Sequence, residues 1–370
     1  MRLVTVDRCQ AGISLAKSIS HENGSVLLAA GTQLTEQHIA RLKKLQVFTI
    51  YIEDDDSEGI DIIDSIPEEL RVEAVHVITE GLTTIAGLTS PHAPQIQGMM
   101  KTSRAIRSFQ KIFRDITQCL KGAPAALQLL ASTKIHDNFV YTHSLNVSIY
   151  ACQLAIENGL PLKKIEEVGL GAMLHDIGTM FISPEILNKP GELTDREFAY
   201  VQSHTELGFD VLRKVHEVPL PVAHCALQHH ERIDGTGYPR GLKADDIHPY
   251  AKLLSVVNVF EALTNHHPHR QAMLPHNALE YLYAGSATQF DKKQVQLFRK
   301  CIAIYPQGLT VMLNDGRTGI VSKYNFRSAG RPEIRIIRDE EGQKVTPYEI
   351  DLAANECLTV EIVKADALLY

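Results

Sequence analysis

His229-His230-Glu231-Arg232-Ile233-Asp234-Gly235-Thr236-Gly237-Tyr238-Pro239 sets two imidazoles side by side at the end of an apolar run, then follows them with a turn rich in Gly and Pro. Adjacent residues of a helix project about 100° apart, so neighbouring histidines rarely serve one ligand unless the helix stops there. Asp234-Gly235 and Gly237-Tyr238-Pro239 cannot continue a helix, which places the stop at the histidines. Upstream, His175-Asp176 closes the apolar stretch Leu170-Gly171-Ala172-Met173-Leu174 and precedes Ile177-Gly178. Two polar groups ending a buried helix are costly there unless they coordinate something.

Outward from these segments, the chain from about 126 to 305 reads as helical throughout. Val140, His143, Val147, Ala151 and Leu154 share one helix face, which ends at Asn158-Gly159. Pro161 opens a helix whose apolar side (Leu162, Ile165, Val168, Ala172) leads to His175-Asp176. Thr194 and Glu197 form a capping box for a helix carrying Phe198, Val201 and His204. Pro221 starts a helix that reaches His229, and another from about Pro249 carries Leu254, Val257, Asn258 and Leu263. The flanks differ in character. In residues 1–60, strand-like Val26-Leu27-Leu28, a helix capped by Thr35 and a strand at Phe48–Ile52 predict a small α+β unit, with Glu53–Asp56 as a solvated exit. Residues 61–125 read as a helical connector broken at Ser90–Pro94, and residues 306–370, with a tight turn at Asn314-Asp315-Gly316, as a small β domain. The expected architecture is multi-domain: a central all-α bundle over 126–305 between these flanking units.

Bulk properties narrow the function classes. A chain of 370 residues exceeds what one core usually serves. A net charge of −7 argues against a broad surface for a nucleic-acid polymer, so an anionic substrate needs local positive charge or metal. Six cysteines without a Cys-x-x-Cys pair fit reduced thiols in a cytoplasm. No apolar run approaches about 20 residues, so no membrane span is expected, and Met1–Asp7 lacks the apolar core of a signal peptide.

His143, His175, Asp176, His204, His229 and His230 each meet an apolar helical face or its end. A lone histidine there is most often a core residue bonded to a carbonyl, but five with an aspartate in one bundle match how helical bundles project ligands onto metals. Imidazole and carboxylate donors suit Fe, Mn, Zn or Ni over Mg or Ca, and paired metals suit phosphodiester cleavage.

These residues, with Gly178, Gly208 and the whole His229–Pro239 segment, resemble the HD-GYP family of metal-dependent phosphodiesterases acting on cyclic di-GMP. The resemblance spans about residues 135 to 270. It implies a helical fold of the HD superfamily and hydrolysis of cyclic di-GMP to linear pGpG or GMP. It further implies one or two divalent transition metals, Fe or Mn, with His175 and Asp176 at the catalytic centre. By the same likeness Asp176 bridges two metals, His143 and His175 serve one, His204, His229 and His230 serve the other, and Tyr238 lies near the substrate. The flanking units are similar, more weakly, to accessory regions of some members.

Four positions depart from the family pattern. Asn258 stands where a ligand Asp is usual, so it brings an amide oxygen without charge; satisfying a helix carbonyl is its bland alternative. Thr179 replaces a Lys that would face the phosphates, and His267 replaces an Arg, while Arg270 matches a retained cation. Phe139 stands where members with a third metal have Glu. His266, His267 and His269 also fit a solvated, titratable cluster. Two readings follow: a phosphodiesterase with reduced turnover, or a weak or inactive cyclic di-GMP sensor or signalling scaffold. A signalling-protein partner and a homodimer are further expectations.

Overall fold

The computed structural model describes residues 1–21, 25–45, 47–62, 64–87, 95–122, 134–135, 139–187, 189, 191–265, 272–325 and 328–366. His266, His267, His269, Arg270 and the expected break at Ser90–Pro94 lie outside the described residues, as does the side chain of Phe139.

The N-terminal unit runs β1 (Arg2–Thr5), β2 (Ser14–Leu15), β3 (Ile19–His21), β4 (Val26–Leu28), α1 (Glu36–Lys44) and β5 (Thr49–Glu53). Antiparallel pairing places Leu3 opposite Tyr51 and Val4 opposite Ile50, in a sheet of order β1-β5-β2. Thr35 caps α1 as expected, and Ile39 and Leu42 pack with Val4, Leu15, Ile50 and Ile52. The Glu53–Asp56 stretch is not a bare solvated exit. Asp54 bonds Arg2 at 3.0 Å and caps a short turn by accepting from the Ser57 N–H, and Asp56 pairs with Lys344. Those cations come from the chain's first strand and its last domain, so no local pattern could announce them.

The connector helices α2 (Glu68–Gly87) and α3 (Gln95–Gly122) pack on one another through Ile78, Leu82, Phe109 and Phe113. Their apolar faces continue into the core of the helical region, so connector and bundle share one interior. Ahead of the bundle, β6 (Lys134–Ile135) pairs in parallel with β3, which corrects the expectation of helix throughout 126–305. Two residues are too few to carry a strand period, and their partner is remote in sequence.

The bundle comprises α4 (Phe139–Glu157), α5 (Leu162–Leu174), α6 (Pro184–Leu187), α7 (Asp195–Gln202), α8 (His204–Leu212), α9 (Leu220–Gln228), α10 (Pro249–Thr264), α11 (Pro275–Ala284) and α12 (Lys292–Cys301). Buried α4 packs against α5, α10 and α12, and α9 lies across α5 and α8. The Thr194–Glu197 capping box forms, but the helix it starts ends at Ser203, and His204 belongs to α8. No residue of α7 is buried, and Phe198 is 48% exposed.

The last region is a five-stranded antiparallel sheet: β7 (Thr310–Leu313), β8 (Thr318–Lys323), β9 (Glu333–Arg338), β10 (Lys344–Asp351) and β11 (Ile362–Asp366), in the order β10-β9-β8-β7-β11. Val311, Leu313, Ile334 and Ile336 form its core, and Asn314-Asp315-Gly316 makes the β7–β8 turn. The architecture is thus mostly helical, with a small C-terminal sheet domain and an N-terminal α+β region. Among the described residues no helix is long and apolar enough to cross a membrane, and all six cysteines are free.

Candidate metal centre

Helix α5 stops at Leu174, His175 follows as its C-cap, and Asp176 turns the chain into a short 3-10 segment, Ile177–Phe181. That segment presses against the first turn of α8. A Cβ on Gly178 would lie 1.8 Å from the His204 carbonyl oxygen and 2.8 Å from the Gly208 nitrogen, so only glycine brings Asp176 this close to His204. Helix α9 ends at Gln228, which frees His229 and His230 from helical spacing and lets both face the same place. His143 comes from the second turn of α4.

The carboxylate of Asp176 lies at the focus. Its Oδ2 is 3.3 Å from His175 Nε2 and 3.6 Å from His143 Nε2, and its Oδ1 is 3.3 Å from the Nε2 atoms of both His204 and His229. Two donor groups result: Asp176, His204, His229 and His230, and His143, His175 and Asp176. All six predicted residues converge, and the aspartate belongs to both groups. Asn258, on α10, is buried at 6% exposure and hydrogen-bonds His143.

The imidazoles are oriented from behind. His175 Nδ1 donates to the Ala172 carbonyl (2.5 Å), His204 Nδ1 to that of Val201 (2.7 Å) and His229 Nδ1 to that of Cys225 (3.0 Å). His143 Nδ1 donates to the Glu261 carboxylate. With Nδ1–H committed, each ring turns its Nε2 inward, as metal-binding histidines do. His204 Nε2 and His229 Nε2 are 3.3 Å apart, and two lone pairs facing at that distance repel unless a cation or proton lies between them. His175 Nε2 is buried without a hydrogen bond of proper geometry. An orphaned buried nitrogen and a nitrogen-rich, carboxylate-bridged donor set fit a divalent metal.

The charge states divide: burial works downward at His204, but the Asp176 carboxylate overrides it and raises the imidazole. Burial pushes the Asp176 carboxyl up, but His175, His204 and His229 outweigh it and hold the group well below the usual carboxylate range. Burial and neighbouring imidazoles push His229 down to about 4, and His230 well below its ordinary value, so both are neutral. At His143 burial also works downward, yet the Glu261 carboxylate overrides it and raises the imidazole to about 9.

Around the mouth, Tyr238 stacks on His230 with ring centroids 4.6 Å apart, and exposed Phe198 meets Tyr238 edge-on at 6.3 Å. The Tyr238 loop is closed by Glu231, which accepts from the Arg240 and Leu242 N–H groups at 2.9 Å each. Gly237 is compelled by crowding, because a Cβ there would meet the Arg232 nitrogen at 2.3 Å. Thr179 spends its hydroxyl proton on the Asp176 carbonyl (2.7 Å), while His267 and Arg270 lie outside the described residues. Sequence reasoning missed Glu261, Asn146, Glu231 and the exposed face of Phe198. A glutamate inside the apolar run Val256–Leu263 was the signal available for the first.

Comparison with known proteins agrees with this geometry. Residues 126–293 match the HD domain family, and residues 310–368 match a KOW domain associated with HD domains. The chain is 31% identical to cyclic di-GMP phosphodiesterase PA4108 of Pseudomonas aeruginosa over 339 residues, covering 85% of this chain and 80% of that protein. It is 36% identical over 194 residues to the cyclic di-GMP phosphodiesterase response regulator RpfG of Xanthomonas campestris, covering 52% of this chain and 51% of that protein. A 3'3'-cGAMP-specific phosphodiesterase of Vibrio cholerae, its phosphodiesterase 3, is 32% identical over 170 residues, covering 45% of this chain and 36% of that protein. Likeness extending over four fifths of the first relative, together with the His and Asp constellation, shows that the chain belongs to the HD-GYP family of HD-domain cyclic di-GMP phosphodiesterases.

Proposed function

We propose that this chain hydrolyses cyclic di-GMP to linear pGpG or GMP at the Asp176 centre. The observation that carries the reading is the shared carboxylate, whose two oxygens face two separate sets of inward-turned imidazole nitrogens. Divalent cations bound there would supply Lewis acidity to the phosphoryl oxygens. His204, His229 and His230 would hold one cation and His143, His175 and Asn258 the other, with Asp176 common to both sets. Fe or Mn suits this donor set, and the uncharged Asn258 makes its side the weaker and turnover correspondingly reduced. Tyr238 and Phe198 flank the opening as aromatic surfaces for a guanine base, with Thr179, His267 and Arg270 as the other substrate-facing positions. The five converging histidines with Asp176, and relatives described as phosphodiesterases, favour catalysis over an inactive sensor or scaffold. The division into 1–60, 61–125, 126–305 and 306–370, a cytoplasmic location, a signalling partner and a homodimer belong to the same reading.

The test is turnover of cyclic di-GMP by full-length protein loaded with Mn²⁺ or, anaerobically, Fe²⁺, against chelated protein and Asp176→Ala, with 3'3'-cGAMP as competitor substrate. Activity lost on chelation and in Asp176→Ala is expected, with preference for cyclic di-GMP. Full turnover after chelation, or by Asp176→Ala, would overturn the assignment.

A further inference from the structure

Three of the oriented histidines give Nδ1–H to main-chain carbonyls, whereas His143 gives it to a carboxylate. Glu261 is 1% exposed, one turn beyond Asn258 on α10. Its Oε2 accepts from His143, and its Oε1 accepts from Asn146 Nδ2 at 3.0 Å and Asn265 Nδ2 at 2.9 Å. A carboxylate this buried persists only when its lone pairs are satisfied. Asn146, fully buried on α4, is fixed in orientation by its second bond, in which its Oδ1 accepts from Arg71 Nη2 at 3.3 Å. Arg71 lies on the connector helix α2, outside the bundle that supplies every ligand. A continuous line of polar contacts therefore runs from α2 through α4 and α10 to one ligand imidazole.

The position of that line matters. The His143 and His175 side has the shared Asp176 as its only carboxylate among the described residues, with neutral Asn258 beside it. A carboxylate behind an imidazole raises its basicity as a ligand and fixes its ring. We propose that Arg71, Asn146 and Glu261 form a positioning relay, which orients His143 and supplies through it the negative charge that Asn258 does not bring. Occupancy of that half of the centre is thereby tied to the placement of α2. The inference rests on the two-cation reading above.

Chelator-stripped full-length protein is titrated with Co²⁺ alone, reading binding by competition with a chromophoric chelator and the visible absorption of bound Co²⁺. His143→Ala identifies the class of site that contains His143. Glu261→Gln, which keeps shape and removes charge, should weaken that class by about 10–100-fold and change its spectrum, leaving the other class intact. Arg71→Met should weaken the same class by a smaller factor, and Arg71→Lys should recover part of the loss. Folding is checked by circular dichroism. If Glu261→Gln misfolds, Arg71→Met decides alone. Unchanged Co²⁺ affinity and spectrum in a folded Glu261→Gln overturns the relay, and a loss in Glu261→Gln with none in Arg71→Met overturns the part of α2. If Asp176→Ala also binds Co²⁺ like the wild type, the metal centre itself is misassigned, which separates that failure from failure of the relay.

Discussion

Asp176 and the imidazoles around it give the metal-free protein two opposed pH limbs. His229 is held at about 4 by burial and its neighbours, below its ordinary 6.5, so between those values the unfolded chain takes up a proton that the folded chain refuses. Stability contributed by neutral His229 is therefore present above about 6.5 and lost as pH falls toward 4. His143 behaves in the reverse sense. Burial works against its charge, but Glu261 raises it to about 9, so its stabilisation is full below 6.5 and disappears as pH rises through 9. The melting temperature of stripped protein should thus peak near pH 6.5 and fall on both sides, while Mn²⁺ affinity climbs from pH 7 toward 9 as His143 gives up its proton. A melting temperature that keeps rising between pH 7 and 9 without metal would contradict the His143–Glu261 pairing. Asn258→Asp belongs to the same balance. A third carboxylate beside Asp176 and Glu261 should lower the metal-free melting temperature by self-repulsion and strengthen metal binding about 10-fold or more. The measured sign is a larger metal-induced thermal shift than wild type; an unchanged shift places Asn258 outside the ligand set.

Elements bearing a regular period were legible in the sequence, and elements defined by a remote partner were not. Helices α4, α5, α9 and α10 follow from apolar residues three and four apart, and the stop at His229 follows from Gly and Pro beyond it. The convergence of the six His and Asp side chains followed from polar residues intruding on those faces. Strand β1 and the two residues of β6 escaped notice, because what makes them strands is pairing with β5 and β3. The helix opened by the Thr194–Glu197 box stops at Gln202, short of the expected His204, and leaves exposed Phe198 against Tyr238. Glu231 was present in the motif, but its task appears only once the loop folds back. Its two oxygens accept from Arg240 and Leu242 N–H groups, closing the segment that carries Tyr238. Glu231→Gln keeps one acceptor and turns an amide N–H₂ against the other donor, a cost of about 1–3 kcal/mol confined to this loop. Since Tyr238 loses its fixed place against His230, KM for cyclic di-GMP should rise several-fold with metal content unchanged. A normal KM in Glu231→Gln would show that the loop is held by other contacts.

At the scale of the molecule the N-terminal unit and the C-terminal sheet meet. The Leu3 N–H donates to the Gly308 carbonyl at 2.9 Å, and Leu3 lies in the core of the C-terminal sheet with Leu309, Val311 and Ile336. Ile60 packs with Ile320 and Ile337, and Arg335 donates to the Glu58 carbonyl. Arg2 is the hub of this junction: 3% exposed, it donates to Thr310 Oγ1 through Nε and to Asp54 Oδ2 through Nη1, each at 3.0 Å. The N-terminal unit and the sheet therefore form one body, whereas the connector helices share the interior of the bundle. Arg2→Met fills much of the same space while removing both donors, and hydrogen bonds to a charged partner are worth about 1.5–3 kcal/mol. Because the junction is shared, the loss should not stay in the strand that is mutated. Hydrogen exchange should quicken together at β5 (Thr49–Glu53) and β7 (Thr310–Leu313), on opposite sides of the junction, while α4 and α5 keep wild-type protection. Faster exchange in β5 alone would mean that the two end units are stable separately and merely touch.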